Sequence, residues 1–182
     1  SKVKRIDLGP KFNTSNVTNM TSMFNGCLLL EKLDLSAFDT RKVTEFAYMF
    51  NSCATLQKLD VSMFDTRSAI NMMSMFSGMM ALSDFNLGHN FNTSNVITMQ
   101  NMFFNVRKLT RLDLSQFDTS KVTQMANMFG YMFELEELNL SSFDTSNVTA
   151  MASMFQYVGK IQNLDLTSFN TSRVNSMSMM FY

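Results

Sequence analysis

The chain has 182 residues, 46% apolar and 16% charged, with 15 basic and 15 acidic side chains. That composition supports a continuous core and excludes a disordered chain. Charge slopes only mildly, from eight basic and six acidic groups in residues 1–60 to three and five in residues 121–182, which is no nucleic-acid footprint. No apolar run approaches ~18 residues, so no membrane-spanning helix is expected.

A 26-residue unit recurs seven times and accounts for nearly every residue. Phenylalanines open the units at Phe12, Phe38, Phe64, Phe91, Phe117, Phe143 and Phe169, and each is followed twelve residues later by another, Phe24 through Phe181. The spacing departs from 26 once, to 27, at Gly88-His89-Asn90. A fixed period of this size predicts a solenoid, in which no unit buries its apolar face alone. The whole chain, 1–182, reads as one elongated domain. It begins and ends inside a repeat without a polar cap, as expected of a segment of a longer protein.

Within a unit, Leu33-Asp34-Leu35 alternates with the period of a short strand, and Ile6/Leu8, Leu59/Val61, Phe85/Leu87, Leu112/Leu114, Leu138/Leu140 and Leu164/Leu166 repeat it. Stacked, these predict a seven-stranded parallel sheet. Asp or Asn followed by Thr comes next in every unit, from Asn13/Thr14 to Asn170/Thr171, and either member can cap a helix. Val43, Phe46, Met49 and Phe50 then fall at offsets 0, 3, 6 and 7, the apolar stripe of a short helix. A loop anchored by Cys27, Cys53, Met79, Val106, Met132 or Val158 leads to the next strand. The fold class expected is therefore an α/β repeat solenoid, a right-handed, leucine-rich-repeat-like coil. Strands stack about 4.8 Å apart and helices about 8–10 Å, which predicts strands on a concave side and helices on a convex one.

Several residues have a plain structural reading. Of the 19 methionines, 13 lie in the two apolar rows of the expected helix, at core spacing. Cys27 and Cys53 hold equivalent places in adjacent units; on a helical side their spacing would exceed the roughly 7 Å a disulfide tolerates, so two free thiols are expected. His89 lies in the longer loop without a metal-ligand partner, and is expected to be solvated. No nucleophile–base pair, phosphate loop or dinucleotide turn is present, so neither catalysis nor a cofactor is expected.

On the strand face, Arg5, Lys32, Lys58, Asp84, Arg111, Glu137 and Asn163 form one column, and Asp7, Asp34, Asp60, Asn86, Asp113, Asn139 and Asp165 another. Where the first turns acidic, at Asp84 and Glu137, the second becomes Asn86 and Asn139, a pattern of charge compensation. Apart from Glu45, the expected outer helix face is neutral, with Thr18, Asn19, Ser22, Gln100, Asn101, Gln124, Asn127 and Ser153. Such a surface suits hydrogen bonding to glycans, or is neutral drift. Units four to six break the loop pattern: Phe104, Tyr131 and Tyr157, with Phe133, stand where earlier units have small polar residues, accompanied by Arg107, Lys108 and Lys160. Rings stack on sugar faces and cations attract sulfate or sialate, so these seven are the candidate ligand-binding residues; as a structural alternative they cover a wider part of the core.

Phe143-Asp144-Thr145-Ser146-Asn147-Val148-Thr149 with Met154-Phe155, and Leu112-Asp113-Leu114-Ser115 before Phe117-Asp118-Thr119-Ser120, resemble the bacterial surface repeats related to BspA-like leucine-rich repeats. The resemblance covers all seven units. It implies an extracellular, surface-anchored adhesin segment, as in lipoproteins of wall-less bacteria and adhesins of Gram-positive commensals. Host mucin, other glycoproteins or extracellular matrix are the implied partners of a monomeric module. A passive spacer and an ice-binding protein using the Thr row are the rival readings. If carboxylates titrate near their ordinary pKa, lowering the pH toward about 4 makes the chain net positive and tightens its hold on polyanionic mucin.

Overall fold

In the computed structural model, which describes residues 1–182, the units form seven stacked coils, joined by backbone hydrogen bonds between residues one period apart. Four short strands stand out: β1 (Lys58–Asp60), β2 (Asp84–Asn86), β3 (Arg111–Asp113) and β4 (Glu137–Asn139). β1 pairs with β2 and β3 with β4, both parallel and in register, so that Leu59 faces Phe85 and Leu112 faces Leu138. An isolated bridge joins Arg5 and Lys32. The expected seven-stranded sheet is thus a set of pairs (coils 1–2, 3–4 and 5–6) with unpaired junctions between them. One break follows the 27-residue unit, and within that unit Gly88, at φ 69°, passes over Ser62 of the coil to which β2 is joined; a Cβ on Gly88 would lie 2.4 Å from the Ser62 Cα.

There are no helices, and this corrects the α/β reading. The segments with helical apolar spacing are successive tight turns. In coil 1, the amides of Met23, Asn25 and Cys27 donate to the carbonyls three residues back, at 3.1–3.2 Å. The intervening amides of Met20, Ser22, Phe24 and Gly26 donate across to Glu45, Ala47, Met49 and Asn51 of coil 2, at 2.8–2.9 Å. The same four cross-coil bonds recur at every junction, ending with Met151, Ser153, Phe155 and Tyr157 on coil 7. Backbone donors therefore alternate between a turn within the coil and the neighbouring coil. A helix would direct them all to the residue four back.

Two left-handed positions per coil make this possible. One column is Ser22, Tyr48, Ser74, Asn101, Asn127, Ser153 and Met179; the other is Gly26, Ser52, Gly78, Asn105, Tyr131 and Tyr157. Ser, Asn and Thr compete with helical backbone bonding and favour turns, and a segment of about ten residues is too short to hold a helix unaided. A continuous row of parallel bridges, Asn19–Glu45–Asn71–Thr98–Gln124–Ala150–Ser176, crosses all six junctions on this side. It stacks at the strand spacing of about 4.8 Å, which removes the spacing mismatch from which a concave sheet and convex helices were expected.

The Asp/Asn-Thr pair caps no helix. Thr14, Thr40, Thr66, Thr93, Thr119 and Thr145 are buried, and each hydroxyl donates to the backbone carbonyl of the Asp or Asn one coil further on, at 2.7–3.0 Å. Burial also removes this Thr row as an ice-binding surface. The Asp or Asn side chain accepts the amide two residues on, as Asp39 does from Arg41 and Asp144 from Ser146. Outer-face Asn19 and Asn71 form the same turn with Thr21 and Met73. The neutral side chains of that face are therefore turn formers.

The core is one cluster of 44 buried residues. Its axis is a phenylalanine stack, Phe24–Phe50–Phe76–Phe103–Phe129–Phe155, which continues to the exposed Phe181 of the last coil, with centroids 5.4–6.1 Å apart. Methionines fill the row beside it, with Met49, Met75, Met102, Met128 and Met154 fully buried. Cys27 and Cys53 are free, but helical spacing is not the reason, because their coils are joined by a backbone bond immediately before them, from the Gly26 amide to the Asn51 carbonyl. The Cys53 thiol donates to the Phe24 carbonyl at 3.2 Å, and burial pushes its pKa up to about 12.

Candidate aromatic binding site

Left-handed backbone normally calls for Gly, Asn or Ser, and in the second column coils 1–4 supply Gly26, Ser52, Gly78 and Asn105. Coils 5 and 6 place Tyr131 (φ 62°) and Tyr157 (φ 53°) there instead. For an L-residue with a bulky side chain that conformation costs roughly 1–2 kcal/mol. Neither ring enters the core, and Tyr157 is 40% exposed.

The two tyrosines are the centre of a surface ridge. Phe104 meets Tyr131 at 5.1 Å, Tyr131 meets Tyr157 at 4.9 Å, and Tyr157 meets Tyr182 at 5.2 Å, with interplanar angles of 57–78°. Phe133 stands edge-on to Tyr131 at 5.9 Å and is 38% exposed. Two glycines clear the space. A Cβ on Gly130 would lie 3.1 Å from the Phe104 ring, and one on Gly159 would lie 2.2 Å from the Phe133 carbonyl oxygen. A hydrogen bond with Tyr182 is the main cause holding the Tyr157 hydroxyl pKa above its ordinary value.

Charge enters from one side. Arg107 lies 5.6 Å from the centroid of the Phe133 ring and its Nε donates to Asn105 Oδ1 at 2.7 Å. Lys160 is paired with Glu134 at 2.5 Å, and Lys108 makes no ion pair. The structure thus gathers Phe104, Arg107, Tyr131, Phe133 and Tyr157, joins Lys160 to Glu134, and adds Tyr182. Tyr182 carries no signal of its own in the sequence, because its column is otherwise occupied by Asn25, Asn51, Ser77, Gly130 and Gln156, with Phe104 as the only other ring.

The strand face carries no comparable concentration. Its opposite charges pair across the joined coils: Lys4 with Glu31, Lys58 with Asp84 and Arg111 with Glu137, at 2.9–3.1 Å. All are exposed and screened by solvent, so they add little stability and serve mainly to prevent repulsion. Asp34, Asp60, Asp113 and Asp165 accept amides of Ser36, Ser62, Ser115 and Thr167, and these turn bonds hold their pKa values below the ordinary one. Beyond β4, toward coil 7, the surface opens into a shallow trough bordered by Arg111, Glu137, Asn139, Lys160 and Asn163. His89 is exposed.

A family model described as a Mycoplasma protein of unknown function, DUF285, matches residues 2–108 and again residues 81–182. The chain belongs to the DUF285 family. The two matches overlap over 81–108 and together take in all seven coils, as they must if the family's unit is itself a run of these repeats. No curated protein matches this DUF285 chain. No helix in it is long and apolar enough to cross a membrane.

Proposed function

We propose that this DUF285 chain is an adhesion module of a bacterial surface, a right-handed coil stack in the leucine-rich-repeat manner, which holds host glycoconjugates, mucin first among them, on the aromatic ridge of coils 4–7. The observation that carries the reading is the pair Tyr131 and Tyr157. They occupy left-handed positions that cost stability, leave the core, and remain partly exposed. Backbone strain that packing does not require is a reason to look for function at that place. Aromatic faces supply apolar stacking area, and a row of them engages several sugars of one chain at once, which multiplies weak contacts.

A passive spacer is the competing reading, and the edge-to-face packing of the rings on one another favours it, because it gives each ring a partner within the protein. A glycan array separates the two. The adhesion reading expects saturable binding of mucin-type oligosaccharides that disappears in a Tyr131→Ala/Tyr157→Ala double variant with an unchanged fold. Absence of saturable binding, or binding indifferent to the double substitution, would leave the spacer reading.

A further inference from the structure

Six arginines stand on this chain, and five are provided for within the protein. Arg41 and Arg67 fork onto Asp39 and Asp65, Arg5 and Arg111 pair with Asp7 and Glu137, and Arg173 gives an Nη to Asn147. Arg107 differs. Like Arg173 it has no carboxylate partner, but its one hydrogen bond within the protein leaves from Nε and not from an Nη.

That bond and the Phe133 ring hold the guanidinium in place. Asn105, whose Oδ1 receives Nε, is fixed by its own left-handed turn and by its amide bond to Gly130 at 2.7 Å. The guanidinium carbon sits over Phe133, an arrangement in which a cation and an aromatic face attract each other. Both Nη groups are left without an acceptor on an exposed side chain. A guanidinium fixed in this way is preorganised for a planar or tetrahedral oxyanion, which takes two parallel N–H bonds from the fork. Lys108 beside it adds a second positive charge, whereas the charge of Lys160 is met by Glu134.

We infer that the ridge selects saccharides carrying an anionic group, a carboxylate or a sulfate ester, over neutral ones, with Arg107 receiving the anion while the sugar ring lies against Tyr131 and Phe133. This rests on the carbohydrate reading above and adds the class of sugar.

The test uses lactose, 3′-sialyllactose and 3′-sulfolactose as probes, titrated by amide and aromatic chemical shifts at low salt. At least one of the two acids is expected to bind about tenfold more tightly than lactose, the effect of one good charge-assisted contact. Preference for the sialyl or the sulfo probe tells the two anions apart. Arg107→Gln should abolish the preference of the acids over lactose, whereas Arg107→Lys, which keeps charge without the fork, should retain only part of it. Arg107 is exposed, so the thermal midpoint of both variants should match that of the parent. Equal affinity for all three probes, or a preference that survives Arg107→Gln, overturns the inference while leaving carbohydrate binding at Tyr157 in place. Failure of all three probes to shift any ridge resonance overturns both.

Discussion

Replacing Tyr157 by glycine and, separately, by alanine isolates the backbone strain on which the ridge argument depends. Both substitutions remove the ring together with its contacts to Tyr131 and Tyr182, so those losses cancel in the comparison. What differs is the backbone at φ 53°. Alanine retains the left-handed penalty of roughly 1–2 kcal/mol. Glycine escapes it but gives up about 0.5–1 kcal/mol in unfolded-chain entropy. The glycine variant should therefore be the more stable, by about 0.7 kcal/mol at the middle of these ranges. At a position of ordinary φ the order is reversed by a similar amount, so the sign alone decides. In a chain of this length the gap corresponds to a melting difference of about 1–4 °C, and urea midpoints with equal slopes give it directly. An alanine variant as stable as the glycine variant, or more so, would refute the claim that Tyr157 holds a strained backbone.

Other perturbations probe the coil-to-coil contacts. Gly88→Ala should cost at least about 2 kcal/mol, since its Cβ meets the Ser62 backbone at 2.4 Å, whereas Gly26→Ala, with the same sign of φ and open space around it, should cost only about 1 kcal/mol by urea denaturation. Thr66→Val should destabilise by about 2–5 kcal/mol, because the Thr66 hydroxyl donates to the Asn92 carbonyl at 2.7 Å and accepts its amide at 2.6 Å, both in the interior. Thr171→Val, exposed on the last coil, should stay within about 0.5 kcal/mol. The fork with Arg41 holds Asp39 at about 2, and the pKa values of Asp34, Asp60, Asp65, Asp113, Asp118, Asp144, Asp165 and Glu134 are also lowered. Groups depressed on folding contribute stability that is present above their unfolded pKa of about 4 and lost as pH falls through the folded value, so acid unfolding should set in between about pH 4 and pH 2. Asp39→Asn, which keeps the turn acceptor, should flatten the acid limb of the stability curve; an unchanged limb would contradict this assignment.

The same carboxylates limit how positive the chain becomes in mild acid. Nine of the 15 are held down by turn amides, hydroxyls or paired cations, so they remain ionised near pH 4.5. The gain in hold on polyanionic mucin at about pH 4.5 should therefore be smaller than ordinary carboxylate pKa values imply.

The period, the phenylalanine stack, the inward strand residues and the aromatic cluster were all legible in the sequence, because burial fixes those positions in every unit. The turns were not. Val43, Phe46, Met49 and Phe50 have a helical offset, yet consecutive turns carry the same residues to the same core. The distinguishing signal was polar: Ser22, Ser74, Asn101, Asn127 and Ser153 share one column, and Gly26, Gly78 and Asn105 another, which is the signature of two left-handed positions per unit. Ser22, Asn101, Asn127 and Ser153 read equally as a glycan-facing surface or as neutral drift, and Tyr131 and Tyr157 disguise the second column. The alternation of paired and open strand junctions had no counterpart in a regular repeat, and neither did the arrival of Tyr182 on the ridge.

The central claim is that each coil completes its backbone bonding on the next one. Through-hydrogen-bond scalar couplings name donor and acceptor directly. The Phe76 amide should couple to the Met102 carbonyl, 3.0 Å away on the neighbouring coil, and the Ser74 amide to Gln100 at 2.9 Å. A coupling from Phe76 to the carbonyl of Met72, four residues back in its own coil, would restore the helix and contradict the account.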